Sequence, residues 1–174
     1  MTRRIRVVGN SGTGKTTLAR AAAARLGVPH VELDDVFWGP DWTKRDPDEA
    51  RADLAARTAG GWVADGNWNS TRGELLDDAD TVVWLDYPRR VVMWRVVTRT
   101  LRRGLRREEL WHGNRESLAS LLRRDPEQNI VRWAWVMHDR YRARYLPLVG
   151  PDPRLVHLRS PHDAQTWLAN LTPS

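Results

Sequence analysis

The chain contains no cysteine, which excludes disulfides and thiolate metal sites and leaves the redox compartment unencoded. It is almost without lysine: of 28 basic residues only Lys15 and Lys44 are lysines, so one placed inside a glycine-rich loop stands out chemically. No apolar run approaches the roughly 20 residues needed to span a bilayer. The first strand pattern begins by Ile5, which leaves no room for a secretory leader, and the expected location is the cytoplasm. The five histidines, at 30, 112, 138, 157 and 162, form no close ligand pair, which argues against a zinc site. There is no internal repeat and no low-complexity linker, and 174 residues suit one domain with a sizeable core.

The formal net charge is +6. Two explanations of the arginine excess stand at this level, codon bias and an anionic partner such as nucleic acid, and position along the chain has to decide between them.

What is present is Gly9-Asn10-Ser11-Gly12-Thr13-Gly14-Lys15-Thr16, a match to Gly, four free positions, Gly-Lys-Ser/Thr. The apolar run Ile5-Arg6-Val7-Val8 leads in as a strand, and the Ala/Leu/Arg-rich run from Thr17 to Leu26 leads out as a helix. That context marks a phosphate-binding loop. Glycines let successive N–H groups converge on one anion, and the helix N-terminus adds partial positive charge. In such a loop Lys15 reaches the outer phosphates, the Thr16 hydroxyl ligates Mg²⁺, and Thr17 continues the cradle.

Strand patterns recur at 5–8, 30–33, 62–64, 81–85 and 154–158. Helical patterns fall at 15–26, 47–59, 88–103, 116–124, 127–145 and 161–171, with Pro47 and Pro88 in first turns. This alternation predicts an α/β fold, a parallel sheet with helices on both faces. The stretch from Gly104 to Arg115 is the least regular, with Gly104 and Gly113 as candidate hinges. Ligands of such sheets bind beyond the carboxyl ends of the strands. There the sequence places the loop, then Asp34 and Asp35, then Asp65-Gly66-Asn67, then Asp86. Asp65, after an apolar strand, is the first choice for the metal, directly or through water. Asp86 is a second candidate, or a helix cap ahead of Pro88. Asp34 is the candidate for contacting or deprotonating the acceptor.

From Pro88 onward Arg95, Arg99, Arg102, Arg103 and Arg106 recur at helical spacing with no acidic residue between Tyr87 and Arg107. Aligned guanidinium groups ask for phosphate; a solvated basic face is the alternative. Arg140 and Arg144 form a second pair on one helical face. Ten tryptophans are present, and Trp38, Trp42 and Trp68 follow the strand-end aspartates, placed either to stack on an acceptor or to pack among themselves.

Together these segments resemble the P-loop kinases of the nucleoside-monophosphate and shikimate type. The resemblance is nearest to adenylate-kinase-related proteins labelled topology-modulation proteins. It is carried by the loop, by Leu33-Asp34-Asp35, by Trp62-Val63-Ala64-Asp65-Gly66, and by Leu85-Asp86-Tyr87-Pro88 with Arg95 and Arg99 nine and thirteen residues after Asp86. Trp38, Trp42, Asn67-Trp68 and Trp111 through Glu116 extend it. The resemblance implies one domain over 1–174 with a five-stranded parallel sheet of order 2-3-1-4-5. It implies an acceptor-side segment over 35–75 with Arg45, Asn67 and Arg72 in reach, and a helical arginine lid over 100–140. It implies ATP and Mg²⁺, with Arg95, Arg99 and a later arginine over the phosphates and Arg159 in the loop near the base. After Asp65-Gly66 the family's Phe-Pro-Arg is replaced by Asn67-Trp68-Asn69. The expected activity is transfer of the γ-phosphoryl group of ATP to a small acceptor, either a nucleotide or a hydroxylated metabolite; the alternatives are a nucleic-acid-associated regulatory ATPase and a nucleotide-binding protein without transfer activity.

Overall fold

A computed structural model describes residues 3–172. Its centre is strand β1 (Arg4–Gly9), flanked by β3 (Trp62–Asp65) and β4 (Thr81–Leu85), with β2 (His30–Glu32) and β5 (Leu155–Leu158) at the edges. All neighbours pair in parallel, and the order is 2-3-1-4-5, as expected. The strands read as apolar runs because both faces are covered. On one face Ile5, Val7, Val63 and Val83 pack with Leu18, Ala19 and Ala22 of helix α1 (Lys15–Leu26), whose alanines let it lie close to the sheet. On the other, Val8 and Trp84 meet Tyr141 and Tyr145 of helix α5 (Ile130–Tyr145). A second core joins Val31 and Trp62 to Leu33, Phe37 and Leu54 of helices α2 (Leu33–Phe37) and α3 (Pro47–Arg57). Helices α4 (Arg89–Arg106) and α6 (Pro161–Asn170) complete the layers. Among the described residues no helix is long and apolar enough to cross a membrane.

Local chemistry explains the helix ends. Asp46 accepts from the Asp48 and Glu49 amides ahead of Pro47, and Ser160 and Asp163 form a reciprocal capping box. Three expectations are corrected. Residues 116–124 form a 3-10 turn at Leu118–Leu122 rather than an α-helix, because the Ser117, Asp125 and Asn129 side chains capture backbone amides and break the run. The second strand ends at Glu32 rather than at residue 33, and Asp34 and Asp35 lie in the five-residue helix α2, since Leu33, Val36 and Phe37 are pulled into the second core. Gly104 is no hinge: α4 continues past it, and its missing side chain makes room for Leu118.

Leu54 is fully buried and Leu105 is 75% exposed. Leu54→Ala is expected to cost about 2–5 kcal/mol of stability. Leu105→Ala should stay within about 0.5 kcal/mol. Urea denaturation of the two variants measures both.

Candidate active site

Parallel register brings the strand ends level. Val7 pairs with Asp65 and Gly9 with Leu85, so the loop emerges between Asp65 and Asp86. The loop's conformation depends on glycine. Gly12 has φ 82°, and a Cβ there would lie 2.5 Å from Val96 Cγ2 and 3.0 Å from the Val92 carbonyl oxygen of α4. Three side chains brace the loop. Asn10 Nδ2 donates to the Ala134 carbonyl at 2.6 Å, Thr13 Oγ1 to the Asn10 carbonyl at 2.8 Å, and Asn67 Nδ2 to the Gly9 carbonyl at 2.9 Å. Gly14 precedes α1, whose first amides, at Lys15 and Thr16, fall outside the helix ladder. The Thr17 side chain is exposed.

Lys15 Nζ folds back into this loop and donates to the Asn10 carbonyl at 2.9 Å. Burial pulls its pKa down, opposed by the Asp65 and Asp34 carboxylates. The Thr16 hydroxyl donates to Asp65 Oδ2 at 2.7 Å. Asp65 Oδ1 lies 2.7 Å from His30 Nε2, on the neighbouring strand. Asp34 accepts from Trp68 Nε1 at 2.7 Å, and burial raises its carboxyl against the pull of that N–H and of Lys15. Asp35 turns outward to Arg57 at 2.7 Å, so Asp34 is the one that faces the loop.

Two arginines of α4 come down on the loop. Arg99 Nη2 donates to Ser11 Oγ at 3.0 Å, and Arg95 Nη1 to the Thr13 carbonyl at 3.4 Å, with its guanidinium 5.5 Å over the Tyr87 ring. Burial and the nearby Arg103 lower the Arg99 pKa. Farther along the stripe Arg106 is exposed, while Arg102 and Arg103 are paired. Arg103 bonds Glu116 at 2.9 Å, and Arg102 lies 3.3 Å from Glu108, because the chain folds carboxylates back from beyond the helix.

Several sequence candidates are engaged elsewhere. Asp86 is no part of the Thr16–Asp65 group: both its oxygens accept from Arg142 at 2.8 Å, and one also meets His157 Nε2 at 2.9 Å. Arg45 donates to the Val36 carbonyl and to Asp53, and buried Arg72 to the Leu75 carbonyl and Asp77, so each ties down its own segment. Arg140 and Arg144 are exposed on α5. They lie six and ten residues beyond Ala134, the residue that meets the loop, or roughly 9 and 15 Å down the helix. The Arg159 amide donates to Asp163 in the turn into α6, and its side chain lines a cleft of about 480 Å³ with Asp86, Pro88, Arg142 and Asp163.

The indoles after the strand ends pack on one another. Trp68 stacks on Phe37 at 5.1 Å between centroids, and Trp38 meets both Trp68 and Trp42 edge-on at 5.0 and 5.8 Å. Above them two hairpin-like loops meet, bridged at Trp38–Lys44 and at Glu109–Arg115. Asn114, 4% exposed, joins them: its Nδ2 donates to the Gly39 carbonyl at 2.8 Å, and its Oδ1 accepts from the Trp42 amide at 2.9 Å. Trp111 Nε1 donates to Glu32 at 2.9 Å. The roles of His30, Glu32 and Asn114 as fasteners were missed. The strand pattern His30-Val31-Glu32, polar on both sides of a buried valine, carried the one available signal for the first two.

The sheet order and the glycine-rich loop after β1 together define the P-loop NTPase fold. A family model described as ATPase family associated with various cellular activities (AAA) matches residues 5–55, the stretch that carries the loop. The structure is similar to shikimate kinase from Bacteroides thetaiotaomicron, at 18% identity over 97% of this chain and 96% of that one, TM-score 0.52. It is also similar to a sugar kinase from Janibacter sp. HTCC2649, at 21% identity over 97% and 94%, TM-score 0.51. No protein of curated function matches the sequence significantly.

A raised Asp34 carboxyl has a signed consequence for stability. The folded state holds this proton more tightly than the unfolded chain, where the pKa is about 3.9. Folding is therefore penalised as pH rises above that value, and the penalty is complete above the raised folded pKa. Asp34→Asn keeps an acceptor for Trp68 and should raise the melting temperature at pH 7, with the gain vanishing below about pH 4. Calorimetry at both pH values checks this.

Proposed function

We propose that the protein is an ATP- and Mg²⁺-dependent kinase that transfers the γ-phosphoryl group to a small acceptor. The observation that carries the reading is the convergence of Lys15, Arg95 and Arg99 on a glycine-shaped loop that has the Thr16–Asp65 pair on one side and Asp34 beside it. Phosphoryl transfer needs positioned phosphates and charge stabilisation more than covalent help. The loop amides and Lys15 supply the first; Arg95 and Arg99 supply the second.

The residues fit a divalent ion. Asp65 is 4% exposed, its Oδ2 is 2.7 Å from the Thr16 hydroxyl, and its other oxygen is held by His30. Thr16 would ligate the ion directly and Asp65 directly or through water; when bound, Mg²⁺ neutralises charge on the outer phosphate oxygens. Asp34 aims its carboxylate at the acceptor. As the acceptor oxygen bonds to the γ-phosphorus and the bond to the β–γ bridging oxygen breaks, the hydroxyl proton passes to Asp34 and ADP leaves. A carboxyl with a raised affinity for protons suits that role. Asp34, Trp38 and Trp68 are half-buried, and the 109–115 loop, fastened to Gly39 and Trp42 through Asn114, limits the water that competes there. The base end of the nucleotide is assigned to the side of Arg95 and the Arg159 cleft, and the setting to the cytoplasm. The carboxylates that neutralise Arg102 and Arg103 weigh against an arginine stripe tracking a nucleic-acid backbone.

Lys15→Ala should abolish turnover and strongly weaken binding of a Mg²⁺–nucleotide in calorimetry. Arg99→Ala should lower kcat by about 10³-fold with nucleotide affinity changed far less, as for an arginine that acts on charge developing in flight.

A further inference from the structure

We infer that the acceptor is an uncharged polyhydroxylated molecule, a sugar, a cyclic polyol or a nucleoside, and not a phosphate monoester or a carboxylate. The inference rests on the phosphotransfer reading and names the substrate class of that site. An anionic acceptor would have to enter a space beside Asp34 and Asp65, and two carboxylates repel it unless a cation of the acceptor side answers its charge. Every arginine of residues 35–75 is already engaged, and Arg6, which reaches this side from β1, donates to the Asn69 side chain. Arg45 holds Asp53, Arg51 holds Asp48 and the Thr71 carbonyl, Arg57 holds Asp35 and Asp53, and Arg72 holds Asp77. Lys44 is exposed where the 38–44 loop is bridged. From the lid, Arg103 is committed to Glu116, and Arg115 lies 3.5 Å from Glu109. Arg106 and Arg107 are exposed at the end of α4, and Arg95 and Arg99 face the phosphate loop, where the donor's own charge requires them.

What the acceptor side does offer is hydrogen-bond acceptors and indole surface. Asp34 carries a carboxylate with one bond from Trp68. Asn67 gives its amide N–H to the Gly9 carbonyl, which leaves its Oδ1 buried beside the loop with no partner. A buried acceptor without a donor is costly and asks for one. Two acceptors set beside half-buried Trp38 and Trp68 match a ligand that brings several O–H donors on a ring whose C–H face can lie on an indole.

The test is an acceptor screen with ATP and Mg²⁺, read as ADP release, beside quenching of tryptophan fluorescence in the presence of a non-hydrolysable ATP analogue. The neutral arm holds hexoses, pentoses, inositols and nucleosides. The charged arm holds nucleoside monophosphates, sugar phosphates and hydroxy acids. At least one neutral compound should raise ADP release tenfold or more over background, with a KM little changed between low salt and 0.5 M salt. Asn67→Ala should raise that KM about tenfold more than it raises the KM for ATP, whose loop the same side chain braces. Preferred turnover of a phosphate monoester or hydroxy acid overturns the inference and leaves the kinase reading standing. Absence of both ADP release and quenching across the whole neutral arm also overturns it. Loss of the kinase reading itself shows separately, as nucleotide binding unchanged by Lys15→Ala.

Discussion

The site depends on one registration, that of β1 against β3. Parallel pairing of Val7 with Asp65 sets a carboxylate at the height where β1 turns into the phosphate loop. The Thr16 hydroxyl, one residue past Lys15 on the first turn of α1, then finds that carboxylate at 2.7 Å. A slip of one residue would send Asp65 to the opposite face of the sheet, since strand side chains alternate. The fully buried residues that hold the register, Val7, Val63 and Ala64, are therefore as much part of the site as the polar groups are.

Charge is managed around that registration by pairing. The chain is strongly basic, yet many of its guanidinium groups are matched: Arg142 to Asp86, Arg72 to Asp77, Arg103 to Glu116, Arg57 to Asp53 and Asp35. Such pairs fix where positive charge is not available, and the more exposed of them, as at Arg57, add little stability. Arg95 and Arg99 are directed inward, and a buried arginine with a depressed pKa beside an anion-binding loop is in want of an anion. The excess charge that composition reports thus resolves into two working groups at the loop and a larger set of fasteners.

The sheet order, the loop and most helix boundaries were legible in the sequence, because period, capping residues and glycines are local signals. The Lys15, Thr16, Asp34 and Asp65 grouping was legible too, through the rule that ligands gather at strand ends. What was not legible is pairing over distance. Nothing near Arg45 or Arg72 announces Asp53 or Asp77 as partners rather than a substrate. Arg102 and Arg103 read as unpaired until Glu108 and Glu116 fold back over them. Asp86 resembled a metal ligand by position and is a structural anchor because α5 and β5 bring Arg142 and His157 to it. Arg140 and Arg144 shared a helical face, but their distance from the loop follows from where α5 meets Asn10, which no local pattern states.

The lid and the carboxylate next to the loop are also mechanically joined. Asn114 substitutes its amide for a stretch of backbone, binding a carbonyl and an N–H of the facing loop as a strand neighbour does. Trp111, three residues earlier, bonds Glu32; His30 stands on the same side of β2 and bonds Asp65, which bonds Thr16. Opening the 109–115 loop therefore breaks the two Asn114 bonds, those of Trp42 to the Arg115 carbonyl and of His112 to the Asp35 carbonyl, and the Trp111–Glu32 bond, which leaves Glu32 to Arg20. Each link is a short polar contact sheltered from water, where a broken bond costs more than at the surface. The 109–115 loop is thus fastened to the strand that orients Asp65, so order in the one and order in the other are favoured together.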